Sequence, residues 1–212
     1  MNKMCRTNTQ FGRSMIEMLG VLAIIGVLSV GGIVGYSKAM FKYHLNKQSS
    51  QLTEVINSVA KHVNGFKSIS VSENVAYAFI ALGEFDDDMI RSDKIYDVFG
   101  FWINIYTVAN NGGKSLNIQI AKNGFLTQYD KREIQICQNI IMTAKENSES
   151  ISVISSIGNI KEEDEISIGL YGDEKCNERV VCLKNISMKD IMNFCTKNIG
   201  KSTVEFKISW IL

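Results

Sequence analysis

The chain has 212 residues, with 23 Lys and Arg against 22 Asp and Glu, a net charge of +1, and no proline. That length suits one domain of ordinary size or a smaller domain with an appendage. A nearly balanced charge without a basic, aromatic-interleaved stripe excludes the electrostatic footprint of nucleic-acid binding.

In chain order, the first feature is an apolar run. Between residues 18 and 36 the only clearly polar side chain is Ser29. At 1.5 Å per residue the run reaches about 28 Å, close to the hydrocarbon thickness of a bilayer. A buried core helix of that length would show a polar face, and this one shows none, so it is expected to span a membrane. Lys3, Arg6 and Arg13 precede it without any acid before Glu17, which places the amino end in the cytoplasm. Everything after residue 36 is then expected outside the inner membrane.

Glu17 opens the run, and a carboxylate at that edge separates three readings. An ordinary secretory signal would be cut near Ser37-Lys38-Ala39. Its apolar stretch would span only about 7–15 residues, however, and the helical pattern here continues past Ala39. A plain single-pass anchor explains length and orientation but not the acid, which is costly in hydrocarbon. The third reading turns on a cut between Gly12 and Arg13, which makes Glu17 the fifth residue of the mature chain.

Residues 39–63 continue as an amphipathic helix. Leu45, Leu52, Ile56, Val59 and Val63 recur at helical spacing, while Lys42, Lys47, Gln51, Glu54 and Lys61 fill the other faces, and Gly65 offers a stop. A break at Gly31-Gly32 would divide this long helix in two. His44 and His62, the only histidines, are about 27 Å apart along one helix, too far to share a metal. Residues 72–85 read as a short helix with Ser72 as cap. The acids 86–88 lack the alternating loop and distal Glu of a calcium site and read as a solvated turn.

Residues 101–108 and 115–121 alternate as strands joined by "NNGGK", a hairpin signal. Residues 130–144 turn helical around Cys137. Short strands are expected at 167–171 and 179–183, a helix capped by Ser187 and ending near Cys195, and a closing strand at 204–211. The acidic stretch 161–165 is expected to be exposed.

Cys5 precedes the span, whereas Cys137, Cys176, Cys182 and Cys195 follow it, an even number suited to an oxidising compartment. No C-x-x-C motif supports zinc. Four cysteines allow three pairings, and spacing does not choose among them. No Gly-x-Ser-x-Gly, phosphate loop or histidine beyond the long helix is present to activate a nucleophile. The chain is therefore expected to be no enzyme, with no catalytic residue, metal or cofactor.

The stretch "GRSMIEMLGVLAIIGVLSVGG", from Gly12, closely resembles the prepilin-type motif of type IV pilins and of the pseudopilins of type II secretion. Gly12, Glu17 and the uninterrupted apolar run occupy its defining positions. Two positions depart from the family pattern: the first mature residue is Arg13 rather than an apolar one, and the proline common near residue 34 is absent. Beyond the helix, "IYDVFGFWINIYTV", "EIQICQNII" and "DIMNFC" with a last strand resemble the head of type IVb pilins.

The resemblance implies an α+β fold, a long N-terminal transmembrane helix packed against an antiparallel sheet. Its parts would be a leader at 1–12, the helix at 13–63 and a disulfide-bonded head at 64–212. It implies cleavage and N-methylation at Gly12-Arg13, assembly through Glu17, and pairing of Cys137 with Cys195, leaving Cys176 with Cys182. The implied partners are copies of itself, a prepilin peptidase, an inner-membrane platform protein, an assembly ATPase and the membrane. The implied location is the bacterial inner membrane before assembly and an extracellular pilus after it. A pseudopilin or minor pilin of a secretion or DNA-uptake system, and a membrane-anchored binding module that never polymerises, are the alternatives.

Overall fold

The computed structural model describes residues 15–110, 113–123, 131–158, 169–197 and 203–212. They divide into two compact units, with the division between Tyr43 and His44.

The first unit is helical. Helix α1 (Met15–His62) starts with Glu17 in its first turn and runs without interruption through Gly31-Gly32, so the two-helix alternative does not hold. A break there would strand backbone N–H and C=O groups among apolar side chains, a heavy cost in a bilayer. The glycines weaken the helix by only about 1 kcal/mol each relative to alanine. Residues 15–43 reach about 43 Å, more than the hydrocarbon core needs.

The second unit begins at His44 rather than at the end of the helix. The closing part of α1 sinks Leu52, Val55, Ile56 and Val59 into the head at 0–1% exposure. α1 gives way to a 3-10 turn (Val63–Phe66) after His62, but the head's core already contains the four turns before it. Gln51, expected on a solvent face, is buried together with Gln48.

The segment 72–85 differs from expectation. Only α2 (Ala76–Ala81) is helical, and Ser72 does not cap it. Ser72 Oγ accepts the Ala109 N–H at 2.9 Å, because residues 71–75 run alongside a strand edge. The Val75 N–H bonds the Ile105 carbonyl, the Thr107 N–H bonds the Glu73 carbonyl, and Asn74 bridges to Tyr106. The Asn74 side chain accepts the Ala76 N–H and performs the turn that Ser72 was expected to make.

Among the described residues eight strands form one sheet: β1 (Ile90–Arg91), β2 (Lys94–Tyr96), β3 (Trp102–Asn110), β4 (Gly113–Asn123), β5 (Val153–Gly158), β6 (Gly169–Tyr171), β7 (Val181–Cys182) and β8 (Thr203–Ile211). Their spatial order is β1-β2-β3-β4-β8-β5-β6-β7, antiparallel throughout except the short β6–β7 pair. The expected hairpin is β3 with β4, in register from Trp102 opposite Ala121 to Asn110 opposite Gly113. The last strand is central, pairing β4 on one side and β5 on the other.

Helix α3 (Lys131–Glu146) lies between β4 and β5 in sequence, and α4 (Met188–Lys197) precedes β8. Ser187 caps α4 with Asp190: its Oγ accepts the Asp190 N–H and donates to the Asp190 carboxylate at 2.6 Å.

Alternation sets the layers. Ile103 and Ile105 of β3, Leu116, Ile118 and Ile120 of β4, and Phe206, Ile208 and Trp210 of β8 turn inward. They join the buried faces of α1 and of α3, the latter carrying Ile136, Ile140, Ile141 and Ala144. The result is an α+β fold, a long apolar N-terminal helix packed with a mostly antiparallel sheet.

Candidate functional site

Two regions of the chain can carry function: the apolar helix and the cross-linked head. In the helix, Met15, Ile16, Leu19, Leu22, Ile24, Val27, Leu28, Val30 and Ile33 are all more than half exposed. Soluble proteins rarely leave so much contiguous apolar surface bare. Nothing in the described residues covers the most apolar window, and by length and composition it is compatible with a membrane anchor. Glu17 is exposed in the first turn. Gly12 and Arg13 lie outside the described residues, as do Cys5 and the acidic stretch 161–165.

In the head, Cys137 of α3 is joined to Cys195 of α4 with their Cα atoms 5.8 Å apart, and both are buried. Packing supports this staple, since Ile191 and Phe194 of α4 are buried around it. Cys176 is joined to Cys182 at 5.2 Å, closing a small ring around Asn177–Val181. Gly172, before that ring, lies so close to the Ile151 and Ser148 carbonyls that a Cβ would meet the Ser148 oxygen at 2.6 Å.

A polar cluster that periodicity did not expose fixes α1 to the rest of the head. Asp97, with 0% exposure, accepts the N–H groups of Phe99 and Phe101 on Oδ1 at 2.9 and 2.8 Å and the Gln48 amide on Oδ2 at 2.6 Å. Gln48 Oε1 accepts from Asn139 of α3 at 3.0 Å, and Gln51 Oε1 accepts the Val98 N–H at 2.8 Å. Burial pushes the Asp97 carboxyl above its ordinary value, opposed by these donors and by the Lys122 charge. Its oxygens are enclosed and committed to donors, which suits a clamp rather than a proton-transfer group. The signal in the sequence was Gln48 and Gln51 lying within the apolar stripe.

The histidines are packing residues with different neighbours. His44 lies edge-on to Phe99 at 5.9 Å, and His62 lies edge-on to Phe79 at 5.7 Å. His62 and Lys61 converge on Glu84 at 2.8 and 3.0 Å, and these two partners, His62 foremost, hold its carboxyl down to about 2. Of the 86–88 acids, all exposed, Asp88 pairs with Lys47. Among the described residues no group of three or more His, Cys, Asp or Glu is placed to hold a metal ion.

Fold and site together define a class, an α+β protein with a bare apolar N-terminal helix and a doubly cross-linked head. Compared with models of protein families, with curated proteins and with solved structures, the chain matches none.

Proposed function

We propose that the chain is a structural subunit of a type IV, IVb-like pilus. The observation that carries this reading is the unbroken α1, bare and apolar over its first part with Glu17 in its first turn, continuing into a disulfide-bonded α+β head. A cut at residues 37–39, as an ordinary secretory signal requires, would sever this helix in its middle.

In this reading a prepilin peptidase cleaves after Gly12 on the cytoplasmic side and Arg13 gains a free, methylatable amino group. The apolar helix waits in the inner membrane until a platform protein and an assembly ATPase move it into a growing bundle. Bundle neighbours then replace lipid around the same side chains, so the transfer costs little apolar hydration. The Glu17 carboxylate of one subunit meets the Arg13 amino group of the next. At about 4 Å and an effective dielectric near 20, such a pair gains roughly 4 kcal/mol before desolvation is subtracted. Glu17 is a register device, the chain has no catalytic role, and repeated head-to-tail contacts that do not close produce a filament outside the cell.

The test is Glu17→Ala in the bacterium that makes the protein. The variant is expected in the membrane at the wild-type level but absent from filaments sheared off the surface. Wild-type yields of filament from the variant would contradict the reading. A wild-type chain that never leaves the membrane would favour the non-polymerising anchored module, and one confined to short periplasmic assemblies would favour a pseudopilin.

A further inference from the structure

The two cross-links of the head stand in opposite surroundings. Cys137 and Cys195 are 4% and 0% exposed, at the contact of two helices. Cys176 and Cys182 are both partly exposed, and the ring they close carries Asn177, Glu178 and Arg179 on the surface. A thiolate that opens a disulfide must reach one of its sulfurs, so access decides which bridge can exchange. Packed side chains close the way to the first bridge unless α3 and α4 part. The second sits at the surface of the folded chain.

The segments on either side of the ring are held independently of its bridge. Before it, the Gly172 N–H bonds the Ser152 carbonyl and the Asp173 N–H bonds the Ser148 carbonyl, both at 2.9 Å. After it, Leu183 and Ile186 are buried at 0% and 5% exposure. Lys184 pairs with Asp173 at 3.1 Å, an ion pair across the base of the loop. Inside the ring Asn177 makes its own turn: its Oδ1 accepts the Arg179 N–H at 2.9 Å and its carbonyl accepts the Val180 N–H at 3.3 Å. None of these attachments needs the S–S bond. What the bond adds is a hold on β7, which contains Cys182. That strand pairs with β6 at only two positions, Leu170 with Val181 and Tyr171 with Cys182, and it ends the sheet among the described residues. So short a pairing at a sheet edge belongs to the low-stability end of a fold, where local opening is easy.

We propose that Cys176–Cys182 is a thiol-exchange site, a reversible redox switch on the sheet edge, while Cys137–Cys195 is a permanent staple. The co-reactant is a small thiol or the reactive cysteine of an oxidoreductase. Its thiolate attacks one ring sulfur, forms a mixed disulfide and expels the other cysteine as a thiolate, which takes up a proton. A second thiol then attacks the mixed disulfide, releasing the remaining cysteine and the oxidised thiol dimer. Two electrons and two protons thus pass from two thiols to the bridge. Reduction frees β7 and leaves β6 as the edge, with unpaired backbone groups. The loop base keeps the two cysteines near each other, so reoxidation restores the pair. The switch does not depend on whether the chain polymerises.

The full chain, held in lipid nanodiscs, is incubated with reduced glutathione, quenched with N-ethylmaleimide at intervals, digested and weighed. Cys176 and Cys182 are expected to be alkylated about tenfold or more sooner than Cys137 and Cys195, with circular dichroism unchanged. In the selectively reduced chain, amide hydrogen exchange quickens within residues 169–182 and stays as before in α3 and α4. Replacing Cys176 and Cys182 together by Ser reproduces that pattern without any thiol. The proposal is overturned if the two pairs open together, if Cys137 and Cys195 open first, or if Cys176–Cys182 stays closed until the head unfolds. It is equally overturned if the ring opens and exchange within residues 169–182 does not change.

Discussion

Two carboxylates of the head respond to pH in opposite senses, each for a visible reason. Glu84 is held at about 2, below the ordinary 4.5, by His62 and Lys61. A depressed carboxyl contributes stability that is present above about 4.5 and lost as pH falls through about 2. Glu84→Gln is therefore expected to flatten the acid limb of a plot of Tm against pH in that window. An acid limb as steep as the wild type's would show that the cluster around Glu84 adds nothing. Asp97 is the reverse case: burial raises its value above the ordinary 3.8, so the folded state holds the proton more tightly than the unfolded one. Its contribution is present below 3.8 and declines as pH rises through the raised value. Asp97→Asn removes that decline but faces Gln48 with a second donor. Asp97→Ala leaves the Phe99 and Phe101 N–H groups and the Gln48 amide unanswered. Each stranded buried group costs about 1–3 kcal/mol, so chemical denaturation of Asp97→Ala is expected to show a loss above about 2 kcal/mol. A loss near zero would mean that water replaces the clamp.

At the scale of elements, the two cross-links differ in what they constrain. Cys137 and Cys195 are 58 residues apart in sequence and tie α3 to α4, whereas Cys176 and Cys182 are 6 apart and close a ring on themselves. In the chain-entropy view the long loop is worth about 4 kcal/mol and the short one about 2. Replacing Cys137 and Cys195 together by Ser should therefore destabilise the head about twice as much as replacing Cys176 and Cys182, measured by denaturant unfolding. Equal losses would place the value of the staple in local packing. The elements with strong periodicity were legible in the sequence: α1, α3, the β3–β4 hairpin with its Asn-Gly and Gly-Gly signals, and α4 behind Ser187. The elements that were not legible lack such signals. β1 and β2 are two and three residues long, and their turn puts Ser92 and Asp93 at positive φ (49° and 58°), where a hairpin turn usually shows Asn-Gly. β5 dilutes its β-branched residues with two serines. Residues 71–75 look like a helix start but satisfy their backbone on the β3 edge, a tertiary choice that local propensity does not reveal.

For the whole molecule, α1 does two jobs that its sequence separates cleanly. Residues 15–36 carry exposed apolar side chains compatible with a membrane anchor, while the part from His44 on is built into the head's core. The first was legible because a run without a polar face, preceded by Lys3, Arg6 and Arg13, has few other uses. The Asp97 clamp was not, because it ties Gln48 and Gln51 of α1 to groups 47 to 91 positions away in the chain. The central claim, that the leader is removed at Gly12 so that Glu17 becomes an assembly residue, is tested most directly by intact mass and N-terminal sequencing of the non-reduced protein purified from membranes of its own cells. The expected chain begins at Arg13, carries one added methyl group, and is four hydrogens lighter than the reduced form because of its two disulfides. A chain beginning within residues 36–40 would mean ordinary signal cleavage, and an uncut Met1 with the prepilin peptidase present would mean a plain anchor; either result would contradict the pilus account.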